Sequence, residues 1–273
     1  MLDLCSAVCG ETLVREERVR HCKNRHSFDV ARSGYVNLLP PSASGKRHGD
    51  DKHMVAARTA FLSRGYYDHL IRPWPKPACS LPGRMPALLD AGCGEGTYTR
   101  AIYDALAAAK GGRPQLLGAD ISARPSSVRR GRYRRASSAW QPARLPLAAE
   151  SLDLIVNIFS PFMAEEFRRV LKPGGYLLRV VPMEKHLIEL KAAVYDHPYE
   201  NPPFEPAAEG FRLMQTQALR TTYYTFVKRG RAGVVSHDAL LLQNRRRGSE
   251  EALPPLQSLR VTTEFLLAVY QPA

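Results

Sequence analysis

The sequence lacks the features of a secreted or membrane-spanning chain. It has no run of about 18 apolar residues and no cationic stretch followed by an apolar one at its start. We therefore expect a chain that neither crosses a membrane nor is secreted, and a cytoplasmic location. No internal repeat or low-complexity tract is evident, and the five cysteines are an odd number. Without a secretory signal, disulfides are not expected.

Acidic residues are also in short supply. The 273 residues include 39 lysines and arginines against 26 aspartates and glutamates, which gives a net charge of +13. Such an excess favours a polyanionic partner, a nucleic acid before a membrane surface; the alternative is a generally basic proteome. With 44% hydrophobic and 24% charged residues, the chain is long enough for one large domain, or for one domain and a small module.

A glycine loop follows the first strongly apolar stretch. The run ends in Asp90, and Gly92, Gly94 and Gly96 stand at every second position. Residues 97–109 then have a helical pattern, so the stretch predicts a strand, a tight turn and a helix N-terminus with free N–H groups. Further on, a second apolar strand ends in Asp120, where nucleotide-binding folds place the acid that binds ribose. A nucleotide-type ligand is predicted here; a turn without a ligand is the alternative.

Strands and helices alternate from residue 87 onward. The patterns predict strands at 87–91, 115–119, 152–158 and 176–181, helices at 97–109 and 164–171, and later strands at 219–227 and 261–270. This alternation implies an α/β fold with a mostly parallel sheet covered on both faces. Asn157 and Ser160 stand at the carboxyl end of a predicted strand, which faces the ligand crevice in such folds.

Three of the five cysteines fall in residues 1–39. Cys5 and Cys9 form a C-x3-C pair, and Cys22 and His26 form a C-x3-H pair. Four such side chains are the tetrahedral ligands that zinc prefers. A segment this small also buries too little apolar surface to fold without a bound metal ion. The alternative is three reduced cysteines packed beside an exposed histidine.

A basic stretch lies between the second and third predicted strands. Residues 124–135 contain six arginines and few apolar residues. This composition indicates a basic surface. Contact with RNA phosphates and exposure to solvent without a partner are equally good interpretations of it.

These features together resemble the RlmA-type 23S rRNA (guanine-N1)-methyltransferases, over roughly residues 5–195. The most specific marks are the Cys22–His26 pair followed by Phe-Asp-Val-Ala at 28–31 and Gly-Tyr-Val-Asn-Leu-Leu-Pro at 34–40. The glycine loop, the stretch at 157–161 and His-Leu-Ile-Glu-Leu at 186–190 add to them. A zinc knuckle ahead of a methyltransferase domain is more specific than either alone.

The resemblance implies a class I S-adenosylmethionine (SAM)-dependent methyltransferase, Rossmann-like, with a small N-terminal zinc-binding module. The implied target is N1 of a guanine in a 23S rRNA hairpin loop, and the implied assembly is a homodimer. Residues 1–39 would be the zinc-binding RNA-recognition module, 40–86 a linker and helical segment, and 87–273 the methyltransferase domain.

The resemblance also assigns residues by position. The implied zinc ligands are Cys5, Cys9, Cys22 and His26. The implied SAM-site residues are Tyr67, Asp90, Gly92, Gly94, Glu95, Asp120, Gln141 and His186. SAM is preferred to NAD because the loop lacks the third, wide-spaced glycine of a dinucleotide fingerprint.

Three features differ from the family pattern. The first cysteine pair is C-x3-C where the family has C-x2-C; residues 120–141 lack the usual apolar and lysine helix pattern; and residues 235–239 stand where a Met-Thr-Pro segment is expected. Two alternatives therefore stay open: a small-molecule SAM methyltransferase, and a non-catalytic zinc- and RNA-binding protein on a methyltransferase scaffold.

Methylation at N1 sets its own requirements. The guanine must be unpaired or flipped out, and N1 must lose its proton. Asn157 and Ser160 are predicted as the catalytic pair that orients the base edge. Phe159 or Tyr98 could stack on the base, although a core position is the favoured interpretation of Phe159. Glu184 or solvent would accept the proton.

Overall fold

A computed structural model describes residues 2–32, 34–38, 52–70, 86–94, 96–120, 134–135, 144–194, 197–225 and 259–273. The strands are β1 (Val14–Glu16), β2 (Val19–His21), β3 (Ser27–Asp29), β4 (Ala87–Ala91), β5 (Gln115–Ala119), β6 (Arg134–Arg135), β7 (Leu152–Ile158), β8 (Leu171–Pro182), β9 (Phe211–Thr225) and β10 (Leu259–Pro272). The helices are α1 (Lys52–Leu62), α2 (Thr97–Lys110), α3 (Ala164–Val170) and α4 (Ile188–Val194), with a 3-10 turn at Asp68–Leu70. Within these ranges, no helix has both the length and the apolar character that a membrane span needs.

The larger sheet has the strand order β6-β5-β4-β7-β8-β10-β9. Strands β6, β5, β4, β7 and β8 pair in parallel, whereas β10 is antiparallel to both β8 and β9. Every residue of β4 and β7 is buried, as expected of parallel strands covered on both faces. The predicted α/β fold with a mostly parallel sheet is confirmed, and the carboxyl ends of β4, β5 and β7 meet at one edge.

Two apolar clusters cover the two faces of this sheet. On one face, Phe61 of α1 and Ile102 of α2 pack against Leu88 and Leu154. On the other, Phe167 of α3 packs with Leu89 and with side chains of the N-terminal module, which are Leu4, Leu13, Cys22, Val30, Val36 and Leu38. The module, a three-stranded antiparallel sheet of β1, β2 and β3, thus shares a core with the larger sheet. Residues 39–51 and 71–85, between the two, lie outside the described residues.

Three element boundaries differ clearly from the predicted ones, and one of them is the start of β9, at Phe211 rather than residue 219. Strand β8 begins at Leu171 rather than residue 176, because Leu171 pairs with Leu152 and residues 172–175 form a bulge with Gly174 at a φ of 77°. The sequence of residues 182–190 also predicts the start of a helix, but the helix begins only at Ile188. The N–H groups of Met183 and Leu187 donate instead to carbonyls of β10, so this stretch is held against the sheet.

Candidate active site and metal cluster

The glycine loop joins the carboxyl end of β4 to the N-terminus of α2. Gly92 has a φ of 85°, and a Cβ added there would lie 2.3 Å from the Cβ of Ser160. Only glycine therefore lets the end of β7 approach the loop this closely. At Gly94, a Cβ would meet only Nη1 of Arg58, at 4.0 Å, among the described residues, so space lies open above this part of the loop.

Two carboxylates hold the loop. Asp90 is buried, and its Oδ2 accepts a hydrogen bond from the Thr99 hydroxyl, which ties the first turn of α2 to the end of β4. Asp120 follows β5, and its Oδ2 accepts from the Gly94 N–H at 2.7 Å. The acid of the second strand thus lies beside the open part of the loop.

This donor set fits SAM. Backbone N–H groups at a helix N-terminus, a carboxylate at the end of the neighbouring strand and the open space above Gly94 are what a nucleoside with a ribose diol requires. Of the SAM-site residues implied by the resemblance, Asp90, Gly92, Gly94 and Asp120 come together here. Glu95 and Gln141 lie outside the described residues.

Asn157 and Ser160 form a hydrogen-bonded pair at the end of β7. The Asn157 amide nitrogen donates to the Ser160 hydroxyl at 2.6 Å and to the Pro161 carbonyl at 3.1 Å. The Ser160 hydroxyl donates in turn to the Ala91 carbonyl at 2.5 Å. Both side chains therefore link the end of β7 to the end of β4, and Asn157 is only 1% exposed. Their predicted contact with the base stays a prediction.

Phe159, between these two residues, has a conformation that non-glycine residues rarely adopt. Its φ is 52°, and its side chain is 38% exposed. The ring borders Phe265 at 5.1 Å, Tyr67 at 6.3 Å and Tyr98 at 6.4 Å between centroids. A left-handed backbone held by the surrounding structure is typical of functional sites, and here it presents an aromatic ring at the sheet edge that carries the glycine loop.

His186 lies behind this aromatic group. Its Nδ1 accepts from the Glu264 N–H at 3.3 Å, so the proton of the neutral ring belongs on Nε2, which lies 3.4 Å from the Tyr67 hydroxyl. Burial, with smaller contributions from Lys191 and His69, lowers the pKa of His186 to about 3. The imidazole is therefore neutral and acts as a hydrogen-bonding support for Tyr67.

The low pKa of His186 predicts acid sensitivity of the fold. The unfolded histidine protonates below its ordinary pKa of 6.5, whereas the folded one stays neutral down to about 3, so stability is lost as the pH falls through this window. We expect about 1.4 kcal/mol per pH unit from this residue. Urea unfolding at pH 7 and pH 5 should show a shallower pH dependence for His186→Gln than for the wild type.

The control for this measurement is His197→Gln, because His197 is an exposed histidine outside the crevice. It should keep the pH dependence of the wild type. If His186→Gln and the wild type lose the same free energy between pH 7 and pH 5, the neutral state of His186 is contradicted.

One residue of the crevice has no counterpart in the predicted site. Phe265 of β10 contacts Phe159, and its ring centroid lies 5.0 Å from that of Tyr67 and 4.5 Å from that of His186. In the sequence, the alternating pattern of residues 261–270 predicts only a strand. The place of Phe265 in the crevice depends on β10 lying beside β8, which the pattern does not show.

A second cluster of side chains lies in the N-terminal module. The ligand atoms of Cys9, Cys22 and His26 all lie within 4.8 Å of one another. The two sulfurs are 3.6 Å apart, and Sγ of Cys22 is 3.4 Å from Nδ1 of His26. Tetrahedral zinc, with bonds of about 2.3 Å to sulfur and about 2.0 Å to nitrogen, requires separations of about 3.8 and 3.5 Å. These three donors therefore fit zinc.

Cys5 is not a member of that group. It is buried, its N–H donates to the Pro146 carbonyl at 2.8 Å, and burial raises the pKa of its thiol, with Arg169 and Arg144 acting in the opposite direction. Of the four zinc ligands implied by the resemblance, the structure thus brings three together and leaves the fourth, Cys5, outside the group.

Comparisons with known proteins agree with this geometry. A family model described as "RlmA, N-terminal" matches residues 4–46, and one described as "Methyltransferase domain" matches residues 89–179. A protein of Micromonospora griseorubida named "Putative 23S rRNA (guanine-N(1)-)-methyltransferase" is 36% identical over 259 residues, 82% of this chain and 84% of its own length. The chain belongs to the RlmA-type 23S rRNA (guanine-N1)-methyltransferase family.

Two further comparisons, with one curated protein and one solved structure, differ in identity and coverage. A Streptomyces fradiae protein named "23S rRNA (guanine(748)-N(1))-methyltransferase" is 36% identical, covering 78% of this chain and 77% of its own. A Bacillus halodurans structure described as a putative methyltransferase aligns with a TM-score of 0.44 at 12% identity, over 71% of this chain and 96% of its own. The predicted methyltransferase fold with its zinc-binding module, and the cofactors SAM and zinc, are confirmed by the family matches and the Cys/His cluster.

Proposed function

We propose that this chain transfers the methyl group of SAM to N1 of a guanine in 23S rRNA. The observation that carries the proposal is the common core of the zinc module and the methyltransferase sheet, in a chain with the family's order of domains. A module of this kind, fixed to the catalytic domain, supports recognition of a large substrate. SAM supplies a methyl carbon that is already electrophilic, so the enzyme's main task is positioning.

Positioning of the donor would fall to the loop. The backbone at Gly94 and the Asp120 carboxylate, which are joined by a hydrogen bond, would bind SAM, and the Asp90–Thr99 hydrogen bond would keep the α2 N-terminus in place. Gly92 packed on Ser160 fixes the loop to the end of β7. The donor and acceptor sides of the site are therefore in direct contact.

Positioning of the base would fall to Phe159. Its exposed ring offers a stacking surface to a flipped guanine. Asn157 and Ser160, through their mutual hydrogen bond, would act on the base chiefly by holding the backbone of Phe159. Glu184, which is partly exposed at the end of β8, stays our candidate for accepting the N1 proton, with solvent as the other.

Phe159→Ala tests this assignment. Base stacking contributes about 1–3 kcal/mol, so rRNA methylation should fall roughly 5- to 100-fold while SAM affinity stays unchanged. Phe159→Tyr should retain most activity. The measurement is single-turnover methylation of rRNA together with calorimetric titration of SAM.

The control is Tyr224→Ala, because Tyr224 on β9 is 66% exposed and lies outside the crevice. An equal loss of activity in both variants would contradict a specific role for Phe159.

The finer parts of the proposal concern the target and the assembly. A hairpin loop presents unpaired bases and suits a chemistry that requires a free N1, and an rRNA substrate implies a cytoplasmic enzyme. For a homodimer, the support is strand β9, which lies at the edge of the described sheet and exposes Leu213 and Met214. Light scattering of the purified protein measures the mass directly.

The deciding experiment is mass mapping of 23S rRNA after incubation with the protein and labelled SAM. One methylated guanine in a hairpin loop is expected. Label in a small molecule but not in rRNA would favour the small-molecule alternative, and RNA binding without SAM binding would favour the non-catalytic one. Deleting residues 1–39 is a poor test, because their side chains belong to the shared core.

A further inference from the structure

The first arm of the metal cluster is a tight turn that begins at Ser6. The N–H groups of Val8 and Cys9 point to the Ser6 hydroxyl at 3.3 and 3.4 Å, and the Gly10 N–H donates to the Ser6 carbonyl at 2.8 Å. Ser6 stands three residues before Cys9, which is the C-x2-C spacing of the family. The serine therefore has the place in the turn that a first ligand would have.

Cys5 and Ser6 lie on opposite sides of an extended chain. Cys5 pairs with Thr12 in an antiparallel bridge, and neighbouring side chains of an extended segment point in opposite directions. The Cys5 thiol lies outside the group of clustered donors. The Ser6 side chain is 2% exposed, and its hydroxyl lies 3.4 Å from the Cys9 N–H. The hydroxyl therefore lies beside Cys9, one of the three clustered donors.

We propose that Ser6, and not Cys5, occupies the fourth position of the zinc site. Zinc would then be held by two thiolates, one imidazole and the oxygen of Ser6. The one-residue departure from the family spacing moves the cysteine out of the site and leaves an alcohol in its place. This inference deepens the metal part of the proposed function and does not depend on the RNA substrate.

The chemistry of the fourth donor has a measurable consequence. Zinc is a borderline-soft ion that thiolates bind more strongly than a neutral alcohol does. We therefore expect a zinc affinity lower than that of the Ser6→Cys variant, which would have three thiolates at C-x2-C spacing. The expected gain for Ser6→Cys is at least about tenfold.

The test uses the full-length chain with Co2+ in place of zinc and measures how many thiolates bind the metal. Sulfur-to-cobalt charge-transfer absorption grows with the number of thiolate ligands, so the wild type should show about two-thirds of the intensity of Ser6→Cys. Cys5→Ser should leave both this spectrum and the zinc dissociation constant unchanged, as measured by competition with a chromophoric chelator.

Two outcomes would overturn the proposal. A wild-type spectrum with three thiolates, or a loss of charge-transfer intensity and zinc affinity in Cys5→Ser, would identify Cys5 as the ligand. The wild-type spectrum decides the question even if a variant fails to fold. Because the readout is metal binding, a protein that methylates no rRNA can still confirm it, and an active enzyme can still contradict it.

Discussion

Replacing Gly92 with alanine should abolish measurable SAM binding. The new Cβ would lie 2.3 Å from the Ser160 Cβ, so either the loop or the end of β7 must move. Movement of Ser160 breaks its hydrogen bonds with Ala91 and Asn157, and alanine at a φ of 85° is itself unfavourable. We expect the free energy of unfolding to fall by about 3 kcal/mol. We expect the SAM affinity to fall by at least about 100-fold. Calorimetry and urea unfolding measure the two.

Gly174→Ala is the matched control. Gly174 also has a positive φ, 77°, but among the described residues nothing lies within 4 Å of an added Cβ. This variant should lose only the backbone contribution, about 1 kcal/mol, and should bind SAM like the wild type. If Gly92→Ala binds SAM normally, or if both variants lose the same affinity, the packing of the loop on Ser160 is not what forms the site.

The core strands of the sheet were predictable because their signal is local. Strands β4, β5 and β7 have the predicted bounds, since a continuous apolar run between turns is what a strand buried on both faces requires. The start of β8 was not predictable in the same way. Residues 172–175 look like a turn, and only pairing of Leu171 with Leu152 across the sheet makes them a bulge within a strand.

In the candidate site, too, the features with a local signal in the sequence were predictable and those that depend on tertiary contacts were not. Residues of one contiguous motif, such as Asp90 and Gly92, were predictable from spacing. The partner of Ser160 was not, because its hydrogen bond to the Ala91 carbonyl joins strand ends that are 69 residues apart. The left-handed backbone of Phe159 also follows from this tertiary contact, and no local pattern marks it.

The metal site shows a third limit. In the sequence, every cysteine near Cys22 and His26 counts as a candidate zinc ligand. Cys5 is therefore chosen over Ser6, because the two are neighbours in the chain and only Cys5 has a thiol. The bridge between Cys5 and Thr12 decides which of the two side chains faces Cys9. Likewise, only the fold shows that the module's apolar side chains pack on the sheet face that carries α3.

Replacing His26 with alanine should separate zinc-dependent RNA recognition from SAM binding. The variant removes one of the three clustered donors, so we expect zinc content to fall to near zero and rRNA methylation to fall by more than about 100-fold. SAM affinity should stay within about twofold, because the glycine loop lies at the carboxyl edge of the sheet and the module on one of its faces. Metal analysis, methylation assays and SAM titration measure the three quantities.

His21→Ala provides the comparison for this variant. His21 belongs to the same small sheet, but its ring lies 3.7 Å from the Glu16 carboxylate at the surface, outside the group of clustered donors. It should keep zinc and activity. If His26→Ala loses zinc and still methylates rRNA, then recognition of the RNA belongs to the methyltransferase domain, and the metal serves only the stability of the shared core. If His26→Ala also loses SAM binding, then unfolding of the module disturbs the glycine loop through the shared core.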